Sequence, residues 1–318
     1  MKPLGMIADV GGTNIRLATI SIESGEMGEV KTYLCADFSS IFDVLTEFLS
    51  HEKDPIKYGC IDVACPVDSD WISLTNNPWQ FSVSQTRKDL GFDHLFLIND
   101  YTAIAMAIPS LTDTQKVKIG EGQPIPNRSI AVCGPGTGLG VAFLKFYNNR
   151  WICLDGEGGH VDFAPQTELE DFLLRQLRKI HQHVSAERFI TGPGLVNIYE
   201  GVMAFYDEKA EKLQPAEITA RALSGKDVRC KEVLDLFCAL LGAFAGNLAV
   251  SVWASGGVYI AGGIAPRIIE IIAASEFRSR FVAKGRFGDS LKKFPTYIIT
   301  EPQPGLIGAA AFLRQELA

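Results

Sequence analysis

The sequence predicts an α/β protein built from two related halves, and three observations support this. Apolar runs typical of strands alternate with stretches of helical spacing along most of the chain. Two glycine-rich turns, at 11–12 and 134–140, each follow one such strand and precede another. The strand, glycine turn, strand order of the opening is thus repeated mid-chain. This repeated plan predicts two halves around a cleft that binds a ligand.

The composition is that of an ordinary folded protein. The chain has 318 residues, of which 47% are hydrophobic and 21% charged, with a formal net charge of −7. Because no basic block is present to replace phosphate counterions, we expect no nucleic-acid partner. The first residues lack the apolar region and cleavage site of a signal peptide, so we expect a cytoplasmic protein with no membrane partner.

The first half opens as a meander and continues as an alternation of strands and helices. Its predicted strands are 5–10, 15–20, 30–35, 59–64 and 95–98, and its predicted helices are 41–49 and 101–108. The strand at 95–98 stops at two polar residues, Asn99 and Asp100. Such a position, between an apolar strand and a helix, often carries function.

The second half begins after Pro109 and repeats the opening motif. Its predicted strands are 129–133, 141–147, 150–155 and 258–261, and its predicted helices are 168–180, 194–204, 216–223, 233–255 and 306–317. No residue from Leu236 to Pro266 is charged, so a membrane span must be considered. Asn247 and two glycine pairs interrupt that stretch, which favours a buried helix followed by a buried strand.

The cysteines predict no disulfide framework and no zinc site. There are seven, an odd number, without a C-x-x-C pair or a Cys/His cluster at zinc spacing. We therefore expect reduced and mostly buried thiols.

The two glycine turns have the chemistry of phosphate-binding loops. Glycines let backbone N–H groups approach an anion, and Thr13 and Thr137 add hydroxyl donors. Neither loop has the lysine of a Walker motif, and neither opens a helix as a Rossmann loop does. Asp9, at the strand end, can hold hydrated Mg²⁺ against phosphate oxygens. The alternative is a plain hairpin turn with Asp9 as its polar cap.

Asp100 is the candidate general base. Its carboxylate could accept a substrate hydroxyl proton and orient that hydroxyl for in-line attack, while Asn99 fixes a neighbouring hydroxyl. The alternative is that Asp100 is simply the N-cap of the next helix.

Three further segments carry polar groups or bare backbone suited to ligands. Glu157 and His160 lie in a glycine-flanked loop that suits a polyhydroxylated ligand, although an ordinary exposed loop has the same composition. Glu187, taken alone, is typical of a solvated helix charge. Gly262 and Gly263 follow an apolar strand, where they could accept an adenine ring against bare backbone or merely end the strand.

Taken in order, these segments resemble the bacterial glucokinase family of the hexokinase, actin and Hsp70 superfamily. The resemblance extends from the first strand to Pro304-Gly305-Leu306, and the stretches 156–165 and 185–197 are specific to the family. The related ROK kinases carry a cysteine-rich zinc motif after the sugar-binding histidine. No cysteine lies between Cys153 and Cys230 here, which disfavours a ROK assignment.

The resemblance implies a two-domain, actin-like ATPase (ribonuclease H-like) fold that binds ATP, Mg²⁺ and glucose in an interdomain cleft. The smaller α/β domain would be 1–110 completed by a C-terminal helix at 301–318, and the larger α+β domain would be 111–300. Asp100 would be the base on the sugar 6-hydroxyl. The implied sugar-binding residues are Asn99, Asp100, Glu157, His160 and Glu187. The implied nucleotide-binding residues are Ala8, Asp9, Val10, Gly11, Gly12, Thr13, Gly136, Thr137, Gly138, Gly262 and Gly263.

Family members are typically cytoplasmic homodimers, so the resemblance also implies a homodimer. Kinases for mannose, fructose or an N-acetylated sugar remain alternatives of the same class. A sugar-binding regulator without activity and an Hsp70-like ATPase module are alternatives of other classes.

Overall fold

The computed structural model describes residues 4–75 and 77–318. The strands are β1 Leu4–Val10, β2 Asn14–Ser21, β3 Lys31–Leu34, β4 Tyr58–Val63, β5 Trp71–Ser73, β6 Gln80–Ser82, β7 His94–Asn99, β8 Lys116–Ile119, β9 Ile130–Pro135, β10 Leu139–Tyr147, β11 Arg150–Gly156, β12 Gly257–Ile260 and β13 Thr296–Ile299. The helices are α1 Ile41–Ser50, α2 Val83–Asp89, α3 Asp100–Ala107, α4 Glu168–Leu177, α5 Gly192–Phe205, α6 Pro215–Leu223, α7 Val228–Val252, α8 Ile269–Ala274, α9 Phe277–Val282, α10 Gly288–Leu291 and α11 Pro304–Glu316. The predicted mixture of helices and strands is confirmed.

The chain forms two compact units. Unit 1 comprises residues up to Thr112, Tyr147–Asp155 and Glu301–Ala318, and unit 2 comprises Asp113–Phe146 and Gly156–Thr300. The segment Tyr147–Asp155, which the sequence assigned to the second half, therefore belongs to unit 1. It does so because Trp151 exchanges hydrogen bonds with the Gln315 side chain of α11, with N···O distances of 2.9 and 3.0 Å.

The main sheet of unit 1 has five strands in the order β3-β2-β1-β4-β7. β1 pairs antiparallel with β2, through the tight turn at the first glycine pair, and parallel with β4 on its other side. α11 packs beside α3, with Leu306 and Leu313 fully buried against Ile7 and Ala103. Since β1, β4 and β7 run parallel, their carboxyl ends lie at one edge, where Asp100 begins α3.

The second main sheet has six strands in the order β11-β10-β9-β12-β13-β8, of which β8, β9, β12 and β13 lie in unit 2. β9 pairs antiparallel with β10, through the second glycine loop, and parallel with β12. The first five strands therefore repeat the order of the unit 1 sheet, as the repeated sequence motif predicts. β8 is added antiparallel to β13 at the edge.

α7 is the central helix of the unit 2 core. It is long and apolar enough to cross a membrane, but 78% of its most apolar 18-residue window is buried within the protein. Phe237, Leu241 and Ala245 are fully buried among the surrounding helices and β12. The prediction of a buried helix followed by a buried strand is thus confirmed, and the helix is accounted for as a core helix.

α7 ends three residues earlier than predicted, at Val252, because the next residue leaves helical geometry. Trp253 adopts left-handed backbone angles, with φ 52° and ψ 58°. For a residue with a Cβ, that conformation costs roughly 1–2 kcal/mol. The apolar sequence continues through this point, so hydropathy alone could not locate the end of the helix.

The seven cysteines are all free thiols within the described residues, as predicted. Six are buried, and Cys153 is half-buried. Burial raises the pKa of the Cys133 thiol to about 12, so this thiol is protonated at neutral pH.

Candidate functional site

The first glycine loop connects β1 to β2 in unit 1. Its turn is closed by the Gly11 amide, which donates to the Asn14 carbonyl at 2.9 Å, while Gly12 and Thr13 are exposed. Asp9 is half-buried, and its carboxylate oxygen lies 3.1 Å from a guanidinium nitrogen of Arg16 on the paired strand. The loop thus offers free backbone and hydroxyl donors, with a carboxylate held in place by arginine.

Asn99 and Asp100 mark the point where β7 becomes α3. Asn99 is the N-cap: its side-chain oxygen accepts from the Tyr101 amide at 2.9 Å, and its side-chain nitrogen donates to the Cys65 carbonyl at 3.2 Å. The alternative that Asp100 is the N-cap is therefore wrong. Asp100 is the first helical residue, and its carboxylate, which also accepts from the Tyr101 amide at 3.0 Å, has further acceptor capacity for another role.

The Asp100 carboxyl has a raised pKa of about 6. Burial is the main cause and the Asp9 carboxylate adds to it, whereas a hydrogen bond from the Tyr101 amide opposes the rise. A carboxylate with a pKa close to neutrality is still mostly ionised at pH 7 yet is more basic than an ordinary aspartate. These properties suit a general base.

Asp62 is a buried acid at this edge of the unit 1 sheet, and it was missed by the sequence analysis. It lies directly beside Asp9 in the parallel register of β1 and β4, is only 1% exposed, and has one carboxylate oxygen without a hydrogen-bond partner. Burial raises its pKa well above the usual range, and the neighbouring Asp9 and Asp100 carboxylates add to the shift. The sequence does contain a signal for this residue, because Asp62 is the charged residue within the otherwise apolar segment Gly59–Val63.

The second glycine loop connects β9 to β10 in unit 2. The Gly136 amide donates to the Gly138 carbonyl, and the Gly136 carbonyl accepts from the Gly192 amide at the start of α5, each at 2.9 Å. Thr137 and Gly138 are exposed. This loop contains no charged residue, so the loop itself can offer an anion only backbone and hydroxyl donors.

Glu187 fixes the end of the second loop. Its carboxylate oxygen accepts a hydrogen bond from the Leu139 amide at 2.9 Å, and its side chain is 28% exposed. The alternative of a solvated helix charge is therefore wrong. The residue lies in a short 3₁₀ turn, Ala186–Arg188, rather than on a helix face.

His160 brings the polar residues of unit 2 together. Its Nε2 atom lies 3.8 Å from a Glu187 oxygen and 3.9 Å from a Glu157 oxygen. A Cβ on Gly159 would lie 2.1 Å from the Leu139 carbonyl oxygen, so only glycine permits this close approach. Glu157, His160 and Glu187 thus form one cluster of acceptors and donors beside the second loop.

A cavity of 590 Å³ in unit 2 joins the second loop to the glycine pair after β12. Gly136, Thr137 and Gly263 line it, together with apolar side chains of α5 and α6 such as Leu195 and Leu223. Its volume is within the usual range for small-molecule sites.

The two glycines of the pair after β12 differ in their surroundings. Gly262 has φ +81° and packs against the loop, since a Cβ there would lie 2.5 Å from the Pro135 carbonyl oxygen. No atom would come within 4 Å of a Cβ on Gly263. Gly262 therefore supports the loop, and Gly263 leaves space for a ligand.

The remaining predicted residues occupy less direct positions. Ala8 and Val10 lie in β1 with their side chains buried, so only their backbone groups could reach a ligand. Within the described residues, no three His, Cys, Asp or Glu side chains gather closely enough to hold a metal ion. Asp9, Asn99 and Asp100 belong to unit 1, and the sugar-binding candidates Glu157, His160 and Glu187 belong to unit 2.

Comparison with known proteins gives a family. The family model described as Glucokinase matches residues 6–316. The chain belongs to the glucokinase family. It is 49% identical to the glucokinases of Yersinia pestis and Yersinia pseudotuberculosis over 317 residues, which is 100% of this chain and 98% of theirs.

Solved structures of glucokinases share this family fold. The crystal structure of glucokinase from an Antarctic psychrotroph is 37% identical, with a TM-score of 0.92 over 98% of this chain and 99% of that one. A glucokinase from Balamuthia mandrillaris, solved with glucose, is 20% identical with a TM-score of 0.75 over 98% and 94% of the two chains. A ROK family glucokinase from Streptomyces griseus, solved with glucose and AMPPNP, is 18% identical with a TM-score of 0.64 over 98% and 99%. The last two show likeness of fold alone.

Proposed function

We propose that this protein transfers the γ-phosphoryl group of ATP to the 6-hydroxyl of D-glucose, giving glucose 6-phosphate and ADP. Membership of the glucokinase family supports the reaction. The observation that carries it is the cluster of Glu157, His160 and Glu187, with its nitrogen–oxygen distances of 3.8 and 3.9 Å. Adjacent acceptors and donors of this kind match the alternating hydroxyls of a sugar.

Sugar binding would use both hydrogen-bond acceptors and hydrogen-bond donors of the protein. The carboxylates of Glu157 and Glu187 would accept from sugar hydroxyls, while His160 would donate or accept according to its tautomer. Asn99 already uses its side chain to cap α3 and to hold the Cys65 carbonyl. Its remaining amide hydrogen and oxygen lone pair would fix a hydroxyl beside Asp100.

Asp100 would act as the general base. The sugar O6 would form a bond to the γ-phosphorus while the bond between that phosphorus and the β–γ bridging oxygen breaks, and the O6 proton would pass to the Asp100 carboxylate. Because the transition state of phosphoryl transfer is loose, alignment and charge stabilisation contribute most of the catalysis. The raised pKa of Asp100 supports this role.

The phosphates of ATP would accept hydrogen bonds from donors of the two glycine loops. Gly11, Gly12 and Thr13 would serve one side, and Gly136, Thr137 and Gly138 the other. The 590 Å³ cavity beside Thr137 and Gly263 supports placing the adenosine in unit 2. Its apolar lining from α5 and α6 suits a purine ring.

The residues present fit a magnesium ion held mainly by phosphates and water. Asp9 is paired with Arg16 at 3.1 Å, which disfavours direct ligation but permits a bridge through a bound water. When bound with ATP, the ion would neutralise charge on the β- and γ-phosphates. Asp9 would orient the water shell of the ion and thereby help to align the triphosphate.

We also propose that the two compact units are the two domains of an actin-like fold and that sugar and nucleotide bind residues of both. The predicted closure of these domains on glucose would exclude water and suppress ATP hydrolysis. The cytoplasmic location and the homodimer stay predictions.

The first experiment measures Mg-ATP-dependent phosphorylation of glucose, mannose, fructose, N-acetylglucosamine and N-acetylmannosamine, with a no-sugar control. We expect turnover with glucose and little ATP hydrolysis without sugar. Preference for another sugar would overturn the substrate but keep the mechanism. Sugar-independent ATP turnover would favour an ATPase module, and sugar binding without turnover would favour a regulator.

A further inference from the structure

Trp253, directly after α7, has an unusual backbone conformation for its residue type. Its φ of 52° and ψ of 58° are left-handed, at a helix end where glycine is the usual residue. A bulky side chain in this region is an outlier, and such outliers concentrate at functional sites. The role of the Trp253 ring therefore has to be sought in its surroundings.

The indole of Trp253 is fixed in orientation yet partly open to solvent. It meets Phe294 edge to face, with ring centroids 5.1 Å apart and an interplanar angle of 85°, and it meets Phe287 similarly at 5.9 Å and 76°. The residue nevertheless remains 45% exposed. An aromatic ring that is held by neighbouring rings and half-exposed can stack against a planar ligand.

The ring lines a cavity of 840 Å³ within unit 2. Its other lining includes Lys118, Gln123, Ile125, Lys293 and Phe294. The volume is within the range of small-molecule sites, and the mixture of aromatic, aliphatic and polar side chains is also typical of them. No lining residue is shared with the 590 Å³ cavity beside Thr137, so this is a separate cavity.

The charges around the cavity favour an anion. Lys292 pairs with Asp289 at 2.8 Å, whereas Lys118 and Lys293 form no ion pair with the described residues. Glu121 and Asp289 also line the cavity, and Lys293 acts electrostatically on Asp289, so the lining holds three lysines against two acids. In a chain with a net charge of −7, this excess of one lysine over the acids beside an exposed ring makes the cavity locally basic.

We propose that this cavity is a second ligand site, which binds a planar aromatic compound carrying a phosphate group, as in a mononucleotide. The aromatic ring stacks on Trp253. The phosphate lies near Lys118 and Lys293, because the lysine ammonium group is a common phosphate partner.

Flavin mononucleotide is a suitable probe, because its fluorescence is quenched when its ring stacks on indole. The titration is done with saturating ADP and glucose, so that the proposed catalytic site is occupied. We expect saturable quenching by the wild-type protein and about fivefold or more weaker binding by Trp253→Asn, since one stacking contact contributes about that much or more. Asparagine tolerates left-handed backbone angles, so this variant removes the ring without adding strain.

Two further variants test separately how much the Trp253 ring and the Lys293 charge contribute to binding. Trp253→Phe keeps an aromatic face and should bind the probe within about threefold of wild type. Lys293→Ala should weaken flavin mononucleotide several-fold but leave riboflavin, which has no phosphate, unchanged. Glucose phosphorylation should be unaffected in all three variants, so failure of this proposal is distinguishable from failure of the proposed kinase activity.

Three results would overturn the proposal. One is the absence of saturable quenching by the wild-type protein up to about 1 mM probe, the weak end of specific binding. Another is equal binding by wild type and a folded Trp253→Asn variant, checked by circular dichroism. The last is quenching that ADP and glucose abolish, which would place the probe in the catalytic site.

Discussion

The two main sheets share one strand order, but different side chains lie beside their glycine loops. In unit 1 the order β3-β2-β1-β4-β7 surrounds a glycine loop whose neighbours are the acids Asp9, Asp62 and Asp100. In the second sheet, of order β11-β10-β9-β12-β13, the glycine loop between β9 and β10 donates a hydrogen bond to Glu187 and lines the 590 Å³ cavity. A common backbone plan therefore carries an acidic edge in one unit and, in the other, the residues that we propose bind the sugar and the nucleoside.

The difference arises in the strands that run parallel to β1 in the first sheet and to β9 in the second. β4 carries Asp62 beside Asp9, and β7 ends at Asn99 and Asp100. In unit 2, by contrast, β12 ends before Gly262 and Gly263, which bring bare backbone to the second loop. The order and register of the strands determine which positions lie close together, and the residue types at the strand ends determine their chemistry.

The largest effect is expected from Asp100→Asn, which removes the proposed base without changing side-chain size. General base catalysis typically contributes about 10²–10⁴-fold, so kcat should fall by that range. Glucose affinity, measured by isothermal titration, should stay within a few-fold of wild type because the unit 2 cluster is intact. Near wild-type kcat would contradict the role of Asp100.

A second, smaller effect is expected in the other unit from Gly138→Ala. The added Cβ would lie 2.9 Å from the Glu187 carboxylate oxygen that holds the Leu139 amide. Displacing Glu187 should lower kcat/KM for glucose by about 10- to 100-fold, as expected when a buried polar contact to substrate is lost. The control is Gly136→Ala, whose Cβ would meet only the Gly138 carbonyl, at 3.9 Å. Equal loss of glucose kcat/KM in the two variants would contradict the role of Glu187.

The pH dependence of kcat/KM tests the proposed role of Asp100 at the acidic edge of unit 1. Because the Asp100 pKa is about 6 in the free protein, kcat/KM should fall below that pH, by about tenfold per unit well into the acid limb. The fall follows from protonation, since only the carboxylate can accept the sugar proton. Steady-state rates between pH 4.5 and 8 would measure it, with Asp100→Asn as the control that lacks this limb. A flat wild-type profile down to pH 5 would exclude Asp100 as the group that titrates.

The smallest effect is a change in stability from Asp62→Asn. The folded-state pKa of Asp62 is raised, so this carboxyl favours folding below its unfolded pKa and becomes destabilising as pH rises through the folded pKa. The neutral amide should therefore raise the free energy of unfolding at pH 7 by about 1–3 kcal/mol. Urea titrations at pH 4 and pH 7 would measure it, and a variant less stable at pH 7 would contradict this account.

The sequence by itself determined the fold class, the repeated plan and most long elements. Hydrophobic periodicity located α1, α3 and α11 within about two residues and α7 within about five, because each buries an apolar face or is buried throughout. Short elements were missed, among them β8, β13 and helices α8 to α10. Segments of four to six residues are too brief to show a period, and tertiary pairing stabilises them.

The sequence also supplied the candidate site residues, through local motifs and their resemblance to a family. It could not decide between a motif and its ordinary structural alternative at Asp100 or Glu187. At Glu187 the answer depends on Leu139, which is distant in the chain, and at Asp100 it depends on the side chain of Asn99, which also holds the distant Cys65 carbonyl. Only the tertiary structure made Asn99 the N-cap and paired Glu187 with Leu139. It also placed Asp62 beside Asp9 and the Trp253 ring in a cavity with lysines. The physical reason is that sheet register and burial set the electrostatic surroundings of a side chain, and both arise from contacts between remote segments.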